Sequence, residues 1–401
     1  MTNAALRGKP DAGNPHVRFD EGEVASATTP RRGSLLYRMT GRREFIVSGM
    51  ALTGTVLTRT AYGSDDERPE LTAAKRWFKE AQYGMMVHWG LYSLLAGEYR
   101  GRRMGQKQIG EWIQAVYEIP NAEYAKLAKV FNPIYFDAEE WVKTAQDAGM
   151  KYIVLTSKHH DGFALYRSKV SAFNVVDATP FGRDVVGELA EACRKHGMKL
   201  GLYYSQDLDW HERGGGGFTM GKTWGDGEAY WTNSWDFKDV TMADFDAYFE
   251  RKCKPQVMEI LTQYGDLCLI WFDIGSTLSP EQAKELYDMV RTLQPGCLVN
   301  SRIGGGSREG KGLGLVCDYT SAGDNQIPDD DKSGMLFESP ATLNDTWGYK
   351  AADQNWKSAE TIRKNREHLK AIGANYLLNV GPDGLGRIPA VSAQILHDAN
   401  V

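Results

Sequence analysis

From about residue 70 onward, short apolar runs alternate with longer segments whose apolar residues recur at helical spacing. The apolar runs are typical of strands and lie at 83–90, 151–157, 199–205, 267–273, 297–302 and 375–382. The amphipathic segments predict helices over 136–150, 184–198, 245–265, 279–296 and 358–373. Strands that are apolar at nearly every position indicate a parallel sheet buried on both faces. The repeated strand–helix units therefore predict an α/β fold.

Several helix boundaries carry residues with known end preferences. Gly149 and Gly197 predict the ends of the first two helices. Ser279 predicts an N-cap, and Pro280 follows it at the first helical position. Pro255 predicts an interruption of the third helix, because proline lacks the N–H that a helix interior needs.

Polar side chains follow strand after strand at the carboxyl end. They are His88, His159, His160, Asp161, Tyr204, Ser205, Trp271, Asp273, Asn300 and Arg302. In a barrel these strand ends converge on one face, which is where barrel active sites lie. No GxGxxG follows the first strand and no P-loop is present, which disfavours a nucleotide-binding sheet. The pattern predicts a (β/α)8-like, TIM-type barrel over residues 70–401.

The N-terminal residues have a different character. Residues 1–41 are rich in Gly, Pro, Thr and Arg without periodicity, which predicts a disordered leader. In 42–63, Arg42 and Arg43 precede a short apolar run and the small residues Ala61 and Gly63. This order is typical of a twin-arginine export signal and predicts a periplasmic or secreted protein. The run is too short for a membrane-spanning helix, so no membrane insertion is expected after signal removal; a chance basic and apolar patch is the alternative.

Composition and net charge favour some classes of function and exclude others. Of 401 residues, 42% are hydrophobic and 25% charged, which is ordinary for a soluble globular protein. The net charge of −5 excludes the basic footprint of a nucleic-acid-binding protein. The 11 Trp and 19 Tyr suit a sugar-binding cleft, although core filling explains part of them. The five cysteines include no CxxC pair, so no disulfide framework is expected.

The histidines allow three interpretations: a metal site, a hydrogen-bonded loop without chemistry, or a pocket that grips a polar ligand. His159 and His160 are adjacent at a strand end, so we expect their side chains to point to opposite sides. No HxH or HExxH spacing includes them or His88. We therefore expect no metal, and neutral imidazoles that donate to and accept from hydroxyls suit a sugar better.

The carboxylate of Asp273 ends the apolar run 267–272, where an unpaired charge would be costly to bury. A catalytic carboxylate is favoured over a loop cap. Arg302 could form a salt bridge with Asp273, or it could bind the substrate. A retaining glycosidase needs a second carboxylate about 5 Å away. Asp324 and Glu338 are the candidates, with a loop-stabilising role as the alternative for either.

Eight segments in this order resemble glycoside hydrolase family 29, the α-L-fucosidases, from about Trp77 to the last residues. They are WFKEAQYGMMVHWG, GEWIQ, SKHHDGFALYRSKVSAFNV, GLYYSQDLDW, LIWFDIG, NSRIG, TWGY and NYLLNVGP. The resemblance implies that Asp273 is the nucleophile and that a fucosylated glycan is the substrate, with no metal or cofactor. It assigns substrate binding to His88, Glu111, Trp112, His159, His160, Tyr204, Trp271, Arg302 and Trp347.

The chain departs from the family pattern in two places. The segment that matches the family's acid/base region, SAGDNQIP, offers Asp324 and no Glu, while FESP offers Glu338. Family members usually continue into a β-sandwich, and we expect this chain to be truncated before it. The expected activity is that of a retaining exo-α-L-fucosidase. The alternatives are a catalytically silent sugar-binding barrel and a related retaining exo-glycosidase acting on a fucose-like sugar; the oligomeric state is open.

Overall fold

The computed structural model describes residues 68–218, 220, 222–224, 229–304, 316–330 and 334–401. The predicted leader 1–41 and the predicted export signal 42–63 lie outside these described residues. Within the described ranges, no helix has the length and apolar character needed to cross a membrane.

Eight parallel strands form one sheet at the centre of the fold. They are β1 Tyr83–Val87, β2 Tyr152–Lys158, β3 Lys199–Tyr204, β4 Leu269–Phe272, β5 Leu298–Val299, β6 Tyr319–Ser321, β7 Leu336–Thr342 and β8 Asn375–Val380. Their order in the sheet is β6-β7-β8-β1-β2-β3-β4-β5, and every neighbouring pair is parallel. A parallel bridge between Asn300 and Tyr319 then joins the β5 edge to the β6 edge. The sheet is thereby closed, and the predicted (β/α)8-like barrel is confirmed.

Helices surround this barrel. The longer ones are Pro69–Ala81, Ala138–Asp147, Val185–His196, Met242–Tyr248, Lys254–Gln263, Pro280–Leu293, Ala359–Ala371 and Ala390–Asn400. Short helices and 3-10 turns span Tyr92–Leu95, Gly110–Trp112, Ile113–Val116, Asn121–Tyr124, Ala125–Val130, Val175–Ala178 and Ser301–Ile303. Two small antiparallel ribbons pair Glu98–Tyr99 with Arg102–Arg103 and Lys222–Trp224 with Ala229–Tyr230.

The helix ends follow from local sequence. Ser279 accepts from the backbone N–H of Gln282, whose side chain accepts from the N–H of Ser279, so both otherwise unpaired donors are satisfied. Such a cap stabilises a helix by about 1 kcal/mol. The interruption predicted at Pro255 is a π-helical turn, Phe249–Cys253, placed just before the proline.

Two strands were not predicted from the sequence. β6 has only three residues, and β7 contains Glu338 and Pro340, so neither shows an apolar run or strict alternation. In the described residues between β5 and β7 there is no α-helix, only the 3-10 turn Ser301–Ile303. The described residues of this part of the barrel therefore do not show the regular strand–helix repeat on which the sequence prediction was based.

Side chains alternate between two buried clusters along each strand. The first fills the barrel interior and includes Met86, Tyr152, Tyr203 and Trp271. The second lies between strands and helices and includes their neighbours in sequence, such as Tyr204. This alternation, which has a period of two residues, decides which residue of each strand can reach the carboxyl-end pocket from inside.

Candidate active site

A pocket of about 760 Å³ opens at the carboxyl ends of the strands. Its lining residues are Met86, His88, Ile109, Glu111, Trp112, His159, His160, Trp231, Trp271, Asp273, Ile274, Arg302, Asp324 and Trp347. Polar groups converge among aromatic walls, as they do in small-molecule sites. Ten of the twelve residues that the sequence and the resemblance assigned to a site are therefore brought together; Tyr204 and Glu338 are not among them.

Asp273 lies one residue beyond β4 and is held by three donors. Oδ1 accepts from Arg302 Nη1 at 3.1 Å and from the N–H of Ile274 at 2.9 Å. Oδ2 accepts from the hydroxyl of Tyr203 at 3.0 Å. The backbone N–H of Asp273 donates to Gln206 Oε1 at 2.9 Å, which fixes the strand end itself. The carboxylate is thus oriented from both of its oxygens.

Burial by itself raises the pKa of Asp273. The positive charge of Arg302, the neighbouring His160 and the hydrogen bonds from Arg302 and Tyr203 outweigh it, so this pKa lies below the ordinary value of an aspartate. Asp273 is consequently a carboxylate at neutral pH, which is the form that a nucleophile requires.

Arg302 connects two carboxylates. Nη1 donates to Asp273 and Nη2 donates to Asp324 Oδ1 at 2.6 Å, so one guanidinium bridges both acids. The Arg302 side chain is 4% exposed, whereas that of Asp324 is 36% exposed. Asp324 therefore lies at the solvent-facing side of the pair.

The close approach of the chain segments that follow β4 and β5 depends on two glycines. Gly275 has φ +69°, and a Cβ placed on it would lie 2.5 Å from Cα of Gly304. No other residue type fits such a contact. The two chain segments that carry Asp273 and Arg302 can therefore meet closely enough for their side chains to pair.

The prediction that Tyr204 lines the pocket is wrong. Its side chain belongs to the cluster between barrel and helices, and its hydroxyl donates to Gln256 Oε1 at 2.9 Å. Its neighbour Tyr203 faces the interior and donates to Asp273. The motif LYYS presents two tyrosines in a row, and only the strand's register decides which one points inward.

Glu338 also lies outside the pocket. It is fully buried, with Oε1 accepting from Trp271 Nε1 at 2.7 Å and Oε2 accepting from the Tyr152 hydroxyl at 3.0 Å. Burial raises its pKa to about 7. Glu338 does not line the pocket, and both of its oxygens accept from side chains inside the barrel, so Asp324 is the remaining acid/base candidate of the two.

His88 has a defined tautomer. Asn379 Nδ2 donates to the carbonyl of Trp347 at 2.7 Å, so its Oδ1 is turned to His88 and accepts from Nδ1 at 2.7 Å. Nδ1 therefore carries the proton, and Nε2 is left as an acceptor. Burial lowers the pKa of His88 to about 4, so the ring is neutral under ordinary conditions.

His159 and His160 both line the pocket, with ring centroids 4.0 Å apart, which contradicts the expectation that they point to opposite sides. The reason is that β2 ends at Lys158 and the chain turns at the histidines, so strand alternation no longer applies. His160 Nδ1 lies 2.7 Å from Ser205 Oγ, which itself donates to the carbonyl of Leu208. His160 Nδ1 must therefore be the donor, and burial lowers the pKa of His160 to about 3.

Asp161 stabilises the loop that carries these histidines. It accepts from the Tyr124 hydroxyl at 2.9 Å and from the N–H of Phe163 at 3.2 Å. Below the loop, Lys158 pairs with Asp209 at 2.8 Å, with both side chains fully buried. The motif KHHD thus combines two ligand-facing rings with two charged residues that hold them in place.

The far wall contains Glu111, Trp112 and Trp347. Glu111 is buried, with Oε2 accepting from the N–H of Gly348 at 2.7 Å, and burial raises its pKa to about 7. Near neutral pH its carboxyl can therefore either donate to or accept from a ligand hydroxyl. The rings of Trp347 and His88 are 5.1 Å apart and form a continuous surface.

Besides Tyr203 and the apolar lining residues Met86 and Ile109, three residues around the pocket were not predicted by the sequence analysis. Gln206 spans the strand ends, since its Nε2 donates to the carbonyls of Arg302 and Ile303. Ile274 has φ +65°, which is rare for a β-branched residue and is found where function demands strain. Trp231 joins the wall at Trp112, at 5.1 Å between rings. Gln206 and Ile274 could have been proposed as site residues because each lies just after a strand of the barrel. No local feature of the sequence indicates Trp231.

In the part of the chain that the structure describes, no three His, Cys, Asp or Glu side chains are placed to hold a metal ion. All five cysteines are buried and unpaired.

Comparison with known proteins places this geometry in a family. Residues 50–400 match the family model described as Alpha-L-fucosidase. The chain is 30% identical to the tissue alpha-L-fucosidase of Mus musculus over 330 residues, which is 77% of this chain and 65% of the mouse protein. It is 29% identical to the Rattus norvegicus enzyme and covers 66% of that protein. The chain thus spans about two thirds of the length of these curated relatives.

Solved structures of α-L-fucosidases are also similar to this chain. Alpha-L-fucosidase AlfC from Lactobacillus casei is 52% identical, with a TM-score of 0.75 over 82% of this chain and 97% of the AlfC chain. The enzyme from Vibrio sp. strain EJY3 is 38% identical with a TM-score of 0.74, over 82% of this chain and 54% of the Vibrio chain. AlfC structures include complexes with alpha-L-fucose product and, for a mutant, with Fuca(1,6)GlcNAc. By sequence, by barrel topology and by the pocket at the strand ends, this chain belongs to the α-L-fucosidase family of glycoside hydrolases.

Proposed function

We propose that this protein is a retaining exo-α-L-fucosidase that removes terminal α-L-fucose from glycans through a covalent intermediate on Asp273. The observation that carries the proposal is the bridge by which Arg302 holds Asp273 and Asp324 in one pocket. Retaining enzymes use two neighbouring carboxyl groups, about 5 Å apart, and the shared guanidinium of Arg302 keeps Asp273 and Asp324 close to each other.

The proposed reaction has two steps. In the first, the Asp273 carboxylate attacks the anomeric carbon as the glycosidic C–O bond breaks, and Asp324 protonates the leaving oxygen. In the second, Asp324 takes a proton from water, the water oxygen attacks the same carbon, and Asp273 leaves as a carboxylate. The donors Arg302, Tyr203 and Ile274 N–H suit both steps, because they orient the nucleophile and stabilise it again when it departs.

The remaining lining residues suit a neutral, hydroxyl-rich ligand. His88 and His160 are neutral rings whose Nε2 atoms remain as hydrogen-bond acceptors. Near neutral pH, the carboxyl group of Glu111 can either donate a hydrogen bond or accept one. Aromatic faces at Trp112 and Trp347 suit the C–H face of a sugar ring. No metal or cofactor is required by this scheme.

The test is turnover of a panel of 4-nitrophenyl glycosides by the purified protein. We expect release of nitrophenol from the α-L-fucoside and little from the β-D-galactoside or α-L-rhamnoside. NMR of the first product should show α-L-fucose, because two inversions retain the configuration. Binding of fucose without turnover would favour the silent sugar-binding barrel, and turnover of another sugar would favour the related exo-glycosidase.

The glycan class and the location are proposed on separate grounds. An AlfC mutant is described with Fuca(1,6)GlcNAc, which makes this disaccharide the first natural linkage to assay. The twin-arginine pattern at Arg42 and Arg43 supports export to the periplasm or the medium. Fractionation of cells expressing the full chain, compared with an Arg42→Lys, Arg43→Lys variant, tests the second point: the variant should stay in the cytoplasm.

A further inference from the structure

Glu338 makes a hydrogen bond across the barrel interior. It lies on β7, whereas its partner Trp271 lies on β4, and β5 and β6 stand between these strands in the sheet order. The Trp271 Nε1–Glu338 Oε1 distance is 2.7 Å. The second oxygen accepts from Tyr152 on β2. One fully buried carboxyl group thus joins three strands that are not neighbours in pairing.

The indole of Trp271 in turn contacts two of the groups that hold the nucleophile. The Arg302 guanidinium carbon lies 4.7 Å from the centre of the Trp271 ring. The Tyr203 ring is stacked on the same indole at 5.6 Å with an interplanar angle of 17°. Both residues donate to Asp273, one to each oxygen. The orientation of a single ring therefore constrains both donors.

We propose that Glu338 is a positioning residue, which fixes the Trp271 ring and through it the Arg302 and Tyr203 donors to Asp273. The inference rests on the proposed fucosidase function, since its readout is the rate of attack by Asp273. The hydrogen bond to Glu338 Oε1 locks the ring, because an indole whose only N–H donor is paired loses its freedom to rotate. Burial of a carboxyl without a contacting cation costs stability, which favours a role in function over a role in packing.

The experiment compares Glu338→Leu and Glu338→Gln with Tyr152→Phe and Trp271→Phe. Leucine removes both acceptors at similar volume, whereas glutamine can accept from Trp271 with its oxygen and donate to Tyr152 with its amide. We expect Glu338→Leu to lose about 10- to 100-fold in kcat/KM, as preorganised groups of an active site do when released, and Glu338→Gln to recover most of it. Tyr152→Phe is the matched control: it removes the other hydrogen bond and should retain activity.

Two further readouts separate positioning from the alternatives. The loss in Glu338→Leu should be similar for good and poor leaving groups and should not be rescued by azide, in contrast to loss of an acid/base. Trp271→Phe, which deletes the N–H donor, should show a comparable loss, and the double variant should lose no more than Trp271→Phe alone, because both act through one contact. Circular dichroism and thermal melting verify that each variant is folded.

The outcomes are distinct. A folded Glu338→Leu, or a folded Trp271→Phe if the leucine variant does not fold, with wild-type kcat/KM overturns the inference. Leaving-group dependence with azide rescue also overturns it and makes Glu338 the acid/base. Additive losses in the double variant would show that Glu338 does not act through Trp271. A wild-type protein without turnover of the α-L-fucoside refutes the proposed function itself, and the inference with it.

Discussion

The hydroxyl of Tyr203 lies 3.0 Å from Oδ2 of Asp273 and donates to it. The two residues come from neighbouring parallel strands whose register pairs Tyr203 with Trp271, two positions before Asp273. The contact exists because both side chains face the barrel interior at the carboxyl end. It provides the nucleophile with a neutral donor opposite the charged donor Arg302.

The adjacent tyrosines give the first prediction. Tyr203→Phe should lower kcat for the α-L-fucoside by about 10- to 100-fold, because a hydrogen bond to a charged group contributes about 1.5–3 kcal/mol. Tyr204→Phe, which loses only its bond to Gln256, should keep kcat and lower the free energy of unfolding by about 1 kcal/mol. Steady-state kinetics and urea denaturation measure the two effects. Equal kinetic losses in both variants would contradict the assigned register.

Asp273→Asn should fold normally and lose at least about 1,000-fold in turnover, because removal of a nucleophile closes the covalent route. The matched control is Asp266→Asn, an exposed aspartate on the chain segment before the same strand, which should behave as wild type. Retention of more than about a tenth of the wild-type rate by Asp273→Asn would assign the nucleophile elsewhere.

Asp324→Ala should distinguish substrates by leaving group. A fucoside of an acidic phenol needs little protonation, so its first step should be nearly preserved, whereas Fuca(1,6)GlcNAc should be cleaved very slowly. Azide should restore turnover of the aryl fucoside by attacking the fucosyl-enzyme without base assistance, and fucosyl azide should accumulate. If neither behaviour is observed, Asp324 is not the acid/base.

Acid should destabilise the fold through its buried imidazoles. An unfolded histidine binds its proton near pH 6.5, whereas folded His88 does so near pH 4. Between these values the unfolded state binds more protons, so the free energy of unfolding decreases as the pH falls from 6.5 to 4. His88→Asn should weaken this pH dependence. Denaturation curves at pH 7, 5.5 and 4 provide the measurement, and parallel curves for His88→Asn and wild type would contradict the assignment.

Chelators should leave activity unchanged, because the pocket histidines act as neutral hydrogen-bonding groups rather than as ligands. Prolonged dialysis against EDTA, followed by assay with and without added Zn²⁺, tests this expectation. Inhibition that zinc reverses would show that His88, His159 and His160 bind a metal.

The sequence by itself determined the features that depend on near neighbours along the chain. Helix ends at Gly149, Gly197 and Ser279 follow from backbone preferences and caps within a few residues. Strand–helix alternation predicted a parallel α/β sheet, because a strand that is apolar throughout requires cover on both faces, and the polar residues at the strand ends favoured a barrel. The position of Asp273 directly after such a strand indicated the carboxylate on which the proposed chemistry rests.

Only the tertiary structure decided the choices between neighbours and between distant candidates. Tyr203 rather than Tyr204 faces Asp273 because one residue of register exchanges interior for exterior. Asp324 rather than Glu338 lies in the pocket because the Glu338 carboxyl is held inside the barrel by Trp271 and Tyr152, which are 67 and 186 residues away in the chain. No local pattern encodes such long-range contacts, so the sequence analysis assigned the wrong tyrosine and left the two acids undecided, whereas packing turns Tyr203 toward Asp273 and places Asp324 in the pocket.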